Sequence, residues 1–470
     1  MDTLANPLIG FATDGSRWQQ LANQISGTVI TPQDPQYDTA RRGFNLAVDQ
    51  HPAVIVAAHT AADVQTAVQF AAEAGLGISV QSTGHGIISM ADENMLILTS
   101  PMTAVRVNGA AQTAWVEAGA KWGMVLQATQ PFGLAPLLGS SPDVGVVGYT
   151  LGGGFGWLGR KYGLSADSVN YFEVVTVDGR LLRVSATENS DLFWGMRGGG
   201  GGLGIVTGME IRLYPVTTVY GGNLFYPVDM AHEVMARFRE WTAVAPDELT
   251  SSVLIMNFPP IPDMPEVIRG KSFVMVRGCY CGPADEGEAL LRFWRDWRAP
   301  LLDDFKTMPF SAVATISNDP VDPLPGLSSG AWLRELHDDV IDTIIDRAAP
   351  HNGPSPLIFA EVRHAGGAIA RMDAAANAYG HRQETLLLQL VGVTPTPEVH
   401  EALSQFVNEF KLALQPWLAG VYMNFLEGGE SRQRVQEAYP VEKYSRLMQL
   451  KAQYDPENRL RSGFNIPPAR

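Results

Sequence analysis

GSSPDVGVVGYTLGGGFGWLGRKYGLSADSV, residues 139–169, carries glycine at 139, 145, 148, 152, 153, 154, 156 and 159. Without a Cβ at those positions, main chain can approach a flat or phosphorylated ligand closely. The spacing is not that of a dinucleotide-binding βαβ turn, because no regular helix opens after a strand with an acidic residue some 20 positions on. There is also no GK[ST] to mark a nucleoside triphosphate loop. Taken alone, the stretch also fits a turn array in a β-rich fold.

Two further blocks flank it. Residues 53–80 read as strand, helix, strand: AVIVAA is a short apolar run, Thr60 with Asp63 resembles a capping box, and Gly75 closes the helix. LGISVQ then runs into QSTGHGI, residues 81–87, where an imidazole projects from a turn poor in side chains. A Gly-His-Gly turn is by itself as compatible with a structural histidine as with a reactive one. The other block is LFWGMRGGGGGLGIVTGMEIRLYP, residues 192–215, in which five consecutive glycines precede a core-like strand. Ordering five glycines is entropically costly, so other parts of the chain should hold them.

Between Met95 and Tyr214 the segments MLILTS, TAWVEAGA, FEVVTVDG, RLLRVS and GIVTGMEIRLY read as short strands. Beyond Pro215 the texture changes. MAHEVMARFREWTAVA and ADEGEALLRFWRDWRAP are amphipathic, and they alternate with the strand runs SSVLIMNF, SFVMVRGCYC, LIFAEVRH and TLLLQLVGV, predicting a sheet backed by helices. The proline-rich FPPIPDMPE and DPVDPLPG read as surface loops, and VEKYSRLMQLKAQY as a helix ended by DPENRL.

The 470 residues are 46% hydrophobic, more than one core usually holds, so two domains are expected. A formal charge of −15 repels phosphodiester backbones and anionic lipid, which argues against nucleic acid and membrane partners. MDTLANPLIGFATDG lacks the basic and apolar regions of a secretory signal, and no apolar run of about 18 residues appears, so a cytoplasmic address is expected. Cys279 and Cys281 are the only cysteines, and buried strand thiols are a better reading of them than a metal site, which needs about four ligands.

Together the three glycine blocks resemble the berberine-bridge-enzyme-like oxidases of the vanillyl-alcohol-oxidase superfamily. VYMNFLEGGE at 421–430 and YSRLMQLKAQYDPENRLRSGFNIPP at 444–468 resemble the family's C-terminal signature. The resemblance implies an α+β fold: a PCMH-type FAD-binding domain of two α/β subdomains from 1–215 with 420–470, its core about 48–215. A substrate-binding domain with an antiparallel sheet backed by helices would occupy 216–419. It further implies FAD joined at its 8α carbon to His85, with Ser82, Thr83, Gly84, Gly86 and Ile87 around the diphosphate. Ser140, Ser141, Asp143, Val144, Gly145, Gly148, Tyr149, Gly152, Gly153 and Gly156 would line the ribityl and ring. Gly204, Ile205 and Val206 would lie near the adenine, and Tyr422 and Asn424 would close over the ring.

Two departures from the family pattern stand out. Many relatives form a second bond from a cysteine to the flavin; Ser141 stands there and cannot form a thioether, so one bond through His85 is expected. Many relatives also show a Tyr-x-Asn-Tyr signature, whereas this chain reads Tyr422-Met423-Asn424-Phe425, and Phe425 cannot accept a proton. The implied reaction moves a hydride from a CH–OH or CH–NH group of a small molecule to the flavin, with a base removing the O–H or N–H proton. Dioxygen then takes the electrons and yields peroxide. Candidates beside the reacting bond are Tyr422 first, then Glu361, which alternation puts on one strand face with Arg363, and Gln389 within an apolar run. An ion-paired surface strand is the plainer account of Glu361 and Arg363. A dehydrogenase, an oxidative cyclase, a flavin-holding protein without turnover and a fold with no flavin stay open, as do the substrate and the choice between monomer and homodimer.

Overall fold

The computed structural model describes residues 15–350 and 354–470. The expectation about a secretory leader falls almost wholly on residues 1–14, outside the described residues. No helix among the described residues is long and apolar enough to cross a membrane.

Three sheets organise the described residues. The first holds β1 (Thr28–Ile30), β2 (Val54–Ala57), β3 (Ile78–Gln81) and β4 (Met95–Leu98) in the order β1-β2-β4-β3. β4 runs parallel to both β2 and β3, which requires crossovers: α1 (Ala61–Ala74) carries the chain from β2 to β3, and residues 82–94 carry it from β3 to β4. Thr60 and Asp63 form the reciprocal capping box and Gly75 ends the helix in the left-handed region at φ 68°, as their sequence positions predict. The second sheet, β5 (Val105–Asn108), β6 (Thr113–Glu117), β7 (Val169–Val175), β8 (Leu181–Ser185) and β9 (Ile205–Arg212), is ordered β5-β6-β9-β7-β8 and is antiparallel. The glycine-dense stretch lies between β6 and β7 and includes the short helix α2 (Val146–Leu151).

The third sheet has nine strands: β10 (Thr218–Pro227), β11 (Leu249–Asn257), β12 (Ser272–Tyr280), β13 (Leu302–Asp303), β14 (Lys306–Pro309), β15 (Gly326–Leu333), β16 (Phe359–His364), β17 (Leu386–Val393) and β18 (Leu418–Gly420). Its order is β13-β10-β12-β11-β16-β17-β15-β18, with β14 also on β10. One face is largely apolar: Leu224, Val276, Val253, Val362 and Leu388 share a register row and join one core with α3 (Ala231–Ala243), α4 (Ala284–Arg295), α5 (Asp338–Ala348) and α6 (Pro397–Ala413). The neighbouring row, Asn223, Arg277, Ser252, Arg363 and Leu387, points the other way. A strand alternates its side chains, so helices on one face leave this second row for the remainder of the molecule.

The five-glycine tract is held from two sides. Gly198 and Gly200 both donate N–H to Leu151 O, at 2.9 and 3.1 Å. The buried Lys451 of α7 (Val441–Tyr454) donates to Gly202 O at 2.8 Å, and Tyr439 donates to Gly198 O at 3.0 Å. Lys451 is itself ion-paired to the buried Asp455 at 2.6 Å. Cys279 in β12 and Cys281 just beyond it are buried free thiols.

Candidate active site

β3 delivers the Gly-His-Gly turn. Gly84 sits at φ 72°, and a Cβ there would fall 2.5 Å from Gly43 Cα, so only glycine allows the two segments to touch. His85 is then held on two sides. Its Nδ1 shares a 2.8 Å hydrogen bond with Thr83 Oγ1. Its ring stacks on Phe44 with centroids 3.8 Å apart and planes 11° from parallel. Among the described residues the buried Nε2 has no partner, and neither has the neighbouring Ser82 hydroxyl. Burial lowers the His85 pKa to about 4; Asp143 opposes the shift and Lys121 adds to it, and those two are paired with each other at 2.5 Å. The ring is therefore neutral at physiological pH, with one nitrogen lone pair available.

The glycine stretch lies against this turn. A Cβ on Gly145 would lie 3.1 Å from Ser82 Oγ, while Gly86 and Gly148 face open space. Ser141 is buried, its hydroxyl accepting from Asp143 N–H at 3.2 Å, and Val144 O accepts from Trp122 N–H. Tyr149 packs edge-on to Trp122, and its buried hydroxyl has no partner among the described residues. A Cβ on Gly156 would sit 1.7 Å from Leu138 O, so the segment can pass there only as glycine. Further along, Gly204 abuts Val174, while Ile205 and Val206 are buried in β9. Ile205 joins the core of the first sheet and Val206 that of the second.

The C-terminal signature closes over the stretch. Tyr422 is buried, and its hydroxyl oxygen accepts from Gly154 N–H at 3.2 Å, Phe155 N–H at 3.1 Å and Asn424 Nδ2 at 3.1 Å. Burial still dominates and raises its pKa to about 12. Asn424 also donates to Tyr149 O at 3.0 Å. Tyr422 thus clamps the glycine segment, and its oxygen is already committed to three donors.

Phe425 reaches the nine-stranded sheet, where a Cβ on Gly330 would lie 2.8 Å from the Phe425 Cβ. Arg363 lies with its guanidinium carbon 5.0 Å from the Phe425 ring centroid, and its Nε donates to Glu361 at 2.7 Å. Glu361 also accepts from Ser252 Oγ at 2.6 Å and lies 3.6 Å from Arg277. The side chain of Glu361 is 1% exposed, so the surface-strand account of this pair is corrected: the face is covered by the glycine segment and the C-terminal signature. Desolvation works against the charged carboxyl, but the two guanidiniums and Ser252 outweigh it and hold its pKa below the usual range. Gln389 is the cross-strand partner of Glu361; its Nε2 contacts Ser328 Oγ at 3.4 Å while the buried Oε1 has no partner among the described residues. His364 points to the opposite face and pairs with the buried Arg160 at 2.9 Å. Ser140, Phe155, Trp157, Ser252 and Arg363 line a cleft between glycine segment and sheet.

Sequence reading did not single out Phe44, Ser252 or Arg277. Phe44 had no motif around it, and the other two are identified only by strand register. Asn45, also unremarked, donates from Nδ2 to Gly326 O at 3.1 Å and to Glu427 at 3.0 Å.

Comparison with known proteins accounts for this layout. Residues 52–185 match the family model described as FAD binding domain, and residues 421–467 the one described as berberine and berberine like. The uncharacterized FAD-linked oxidoreductase YgaK of Bacillus subtilis is 29% identical, over 95% of this chain and 98% of its own. The (R)-6-hydroxynicotine oxidase of Paenarthrobacter nicotinovorans is 26% identical, over 94% and 97%. The solved structure of a Physcomitrella patens BBE-like 1 variant superposes with a TM-score of 0.85 at 21% identity, over 96% of this chain and 99% of that one, and so shares the fold. The chain is an FAD-linked oxidoreductase. Within that class its residues 421–467 are similar to the berberine-bridge-enzyme-like enzymes, and it has the PCMH-type α+β fold.

Proposed function

We propose that this protein carries FAD bonded covalently through His85 alone and oxidises a CH–OH or CH–NH group of a small organic molecule, with dioxygen as the final acceptor. The observation that carries the reading is the buried, unpartnered Nε2 of a neutral His85, held by Thr83 and Phe44 beside a glycine-lined space. Such an orphaned nitrogen is costly unless something fills it. The residues fit the group: Ser82, Gly84 and Gly86 would hold the diphosphate, Gly145 to Gly156 the ribityl and ring, Gly204 to Val206 the adenine side. Ser141 offers a hydroxyl where a thioether would need sulfur.

When bound, the flavin supplies a two-electron acceptor that takes substrate hydride and passes the electrons to dioxygen as peroxide. The chain's own part is orientation and exclusion of water. Tyr422 and Asn424 fix the glycine segment, which makes Tyr422 a positioning residue. Glu361, ionised and ion-paired, is a weak proton acceptor and fixes Arg363. Gln389 Oε1 is the acceptor left open on the substrate-facing sheet, suited to a substrate O–H or N–H. The 216–419 region would bind the substrate. A cytoplasmic address agrees with two buried thiols left unpaired.

Acid precipitation of purified protein, with intact mass measured beside it, tests the reading. A yellow pellet and a mass raised by one FAD are expected for wild type, and a colourless pellet for His85→Ala. A colourless wild type with the mass of the bare chain refutes it. Peroxide formed per substrate oxidised then separates an oxidase from a dehydrogenase.

A further inference from the structure

Charges on the covered face of the nine-stranded sheet do not balance. Arg277 and Arg363 share one register row across β12, β11 and β16, and Glu361, two residues before Arg363 on the same face, is the carboxylate they share. Two guanidiniums against one carboxylate leave one positive charge over. Their side chains are 5%, 17% and 1% exposed, respectively, so water screens that charge poorly. Nor is it cancelled by a second acid: among the described residues neither arginine has another ion-pair partner, and the remaining bond of Arg277 goes to the neutral Asn223 at 3.0 Å. Asp319 acts on Arg363 only from a distance.

The geometry of Arg363 shows where a balancing charge would sit. Glu361 takes Nε, Phe425 lies against the guanidinium, and among the described residues the two terminal nitrogens make no hydrogen bond. They belong to a side chain lining the cleft with Ser140, Phe155, Trp157 and Ser252. A planar fork of unpaired donors, braced through Nε and set over a ring, matches a carboxylate in bidentate fashion.

We propose that the substrate of this enzyme is an organic acid whose carboxylate is bound by Arg363, with Arg277 and Glu361 as the positioning pair. The proposal deepens the reading given above and rests on it for taking this cleft as the substrate site. It also assigns Phe425 a role: a flat apolar support under the guanidinium that leaves the fork turned to the cleft. The acid group is a handle and is unchanged in the reaction.

Calorimetric titration of the holoenzyme with benzoate, phenylacetate and lactate, each against its neutral amide, tests this. The acids should bind at least about tenfold more tightly than the amides, the worth of a charge-assisted pair of hydrogen bonds. Arg363→Met should abolish the preference and Arg363→Lys keep part of it, with retained flavin absorbance showing that both variants are folded. If the reduced flavin is instead what Arg363 balances, the variants shift the flavin potential while acids bind no better than amides, and the proposal fails. It fails equally if no acid binds, or if the preference survives in Arg363→Met. A colourless wild type refutes the flavin reading alone, because heat of binding still reports on Arg363 without colour.

Discussion

Phe44 stacks face to face on His85, ring centroids 3.8 Å apart, although 41 residues separate them in sequence. The stack blocks one face of the imidazole and, with the Thr83 bond, leaves Nε2 as the open edge. Phe44→Ala removes a contact worth about 0.5–1.5 kcal/mol beyond its burial. We expect the fold to survive and the covalently bound share of flavin, read from acid-precipitated protein, to fall several-fold. Full covalent loading would show that the stack is irrelevant to attachment.

The triple acceptor role of Tyr422 makes a different forecast. Tyr422→Phe keeps the ring in its aromatic cluster with Tyr379, Trp332 and Phe425 but strands Gly154 N–H and Phe155 N–H. Unpaired buried donors cost about 1–3 kcal/mol each, so the thermal midpoint should drop by several degrees. Were Tyr422 chiefly a proton acceptor, the variant would lose substrate-driven flavin reduction at an unchanged midpoint.

Glu427 supplies a pH dependence. Burial raises its pKa to about 8, against which the Ser328 N–H and Asn45 act only partly. A carboxyl that binds its proton more tightly folded than unfolded stabilises the protein while protonated. That contribution is complete below the ordinary value of 4.5 and is lost as pH rises toward about 8. Thermal midpoints should therefore decline between pH 5 and 8 in wild type. Glu427→Gln, which still accepts from Asn45, should flatten that decline, and an unaltered slope would assign it to other groups.

What could be read in the sequence was what depends on neighbours in the chain. The Thr60 and Asp63 capping box, the Gly75 stop and the helix at 441–454 are local, and each stands where its residues indicate. The alternation of Glu361 and Arg363 was equally plain, but their burial was not, since that depends on which segment covers the face. β10 and β15 escaped notice because TVYGGNLFYP and GLSSGAWL contain adjacent glycines or serines that weaken a strand pattern. Lys451 resembled any surface lysine in an amphipathic helix; its bond to Gly202 O crosses 249 residues. The glycine tracts announced a close approach without naming the partner, which for Gly152 is Asn424 and for Gly84 is Gly43.

Leu324, in the second proline-rich loop, exchanges backbone hydrogen bonds with Phe44 O and Leu46 N–H, both at 3.1 Å. The residue that backs His85 is thereby stitched to a strand-like stretch made some 280 positions later, and Asn424 reaches Tyr149 O from later still. A nascent chain interrupted before residue 324 has the histidine and Phe44 but not the segment that ties Phe44 down. Loading of the cofactor should thus wait until both late segments have been made, and a yellow polypeptide would certify that they have arrived.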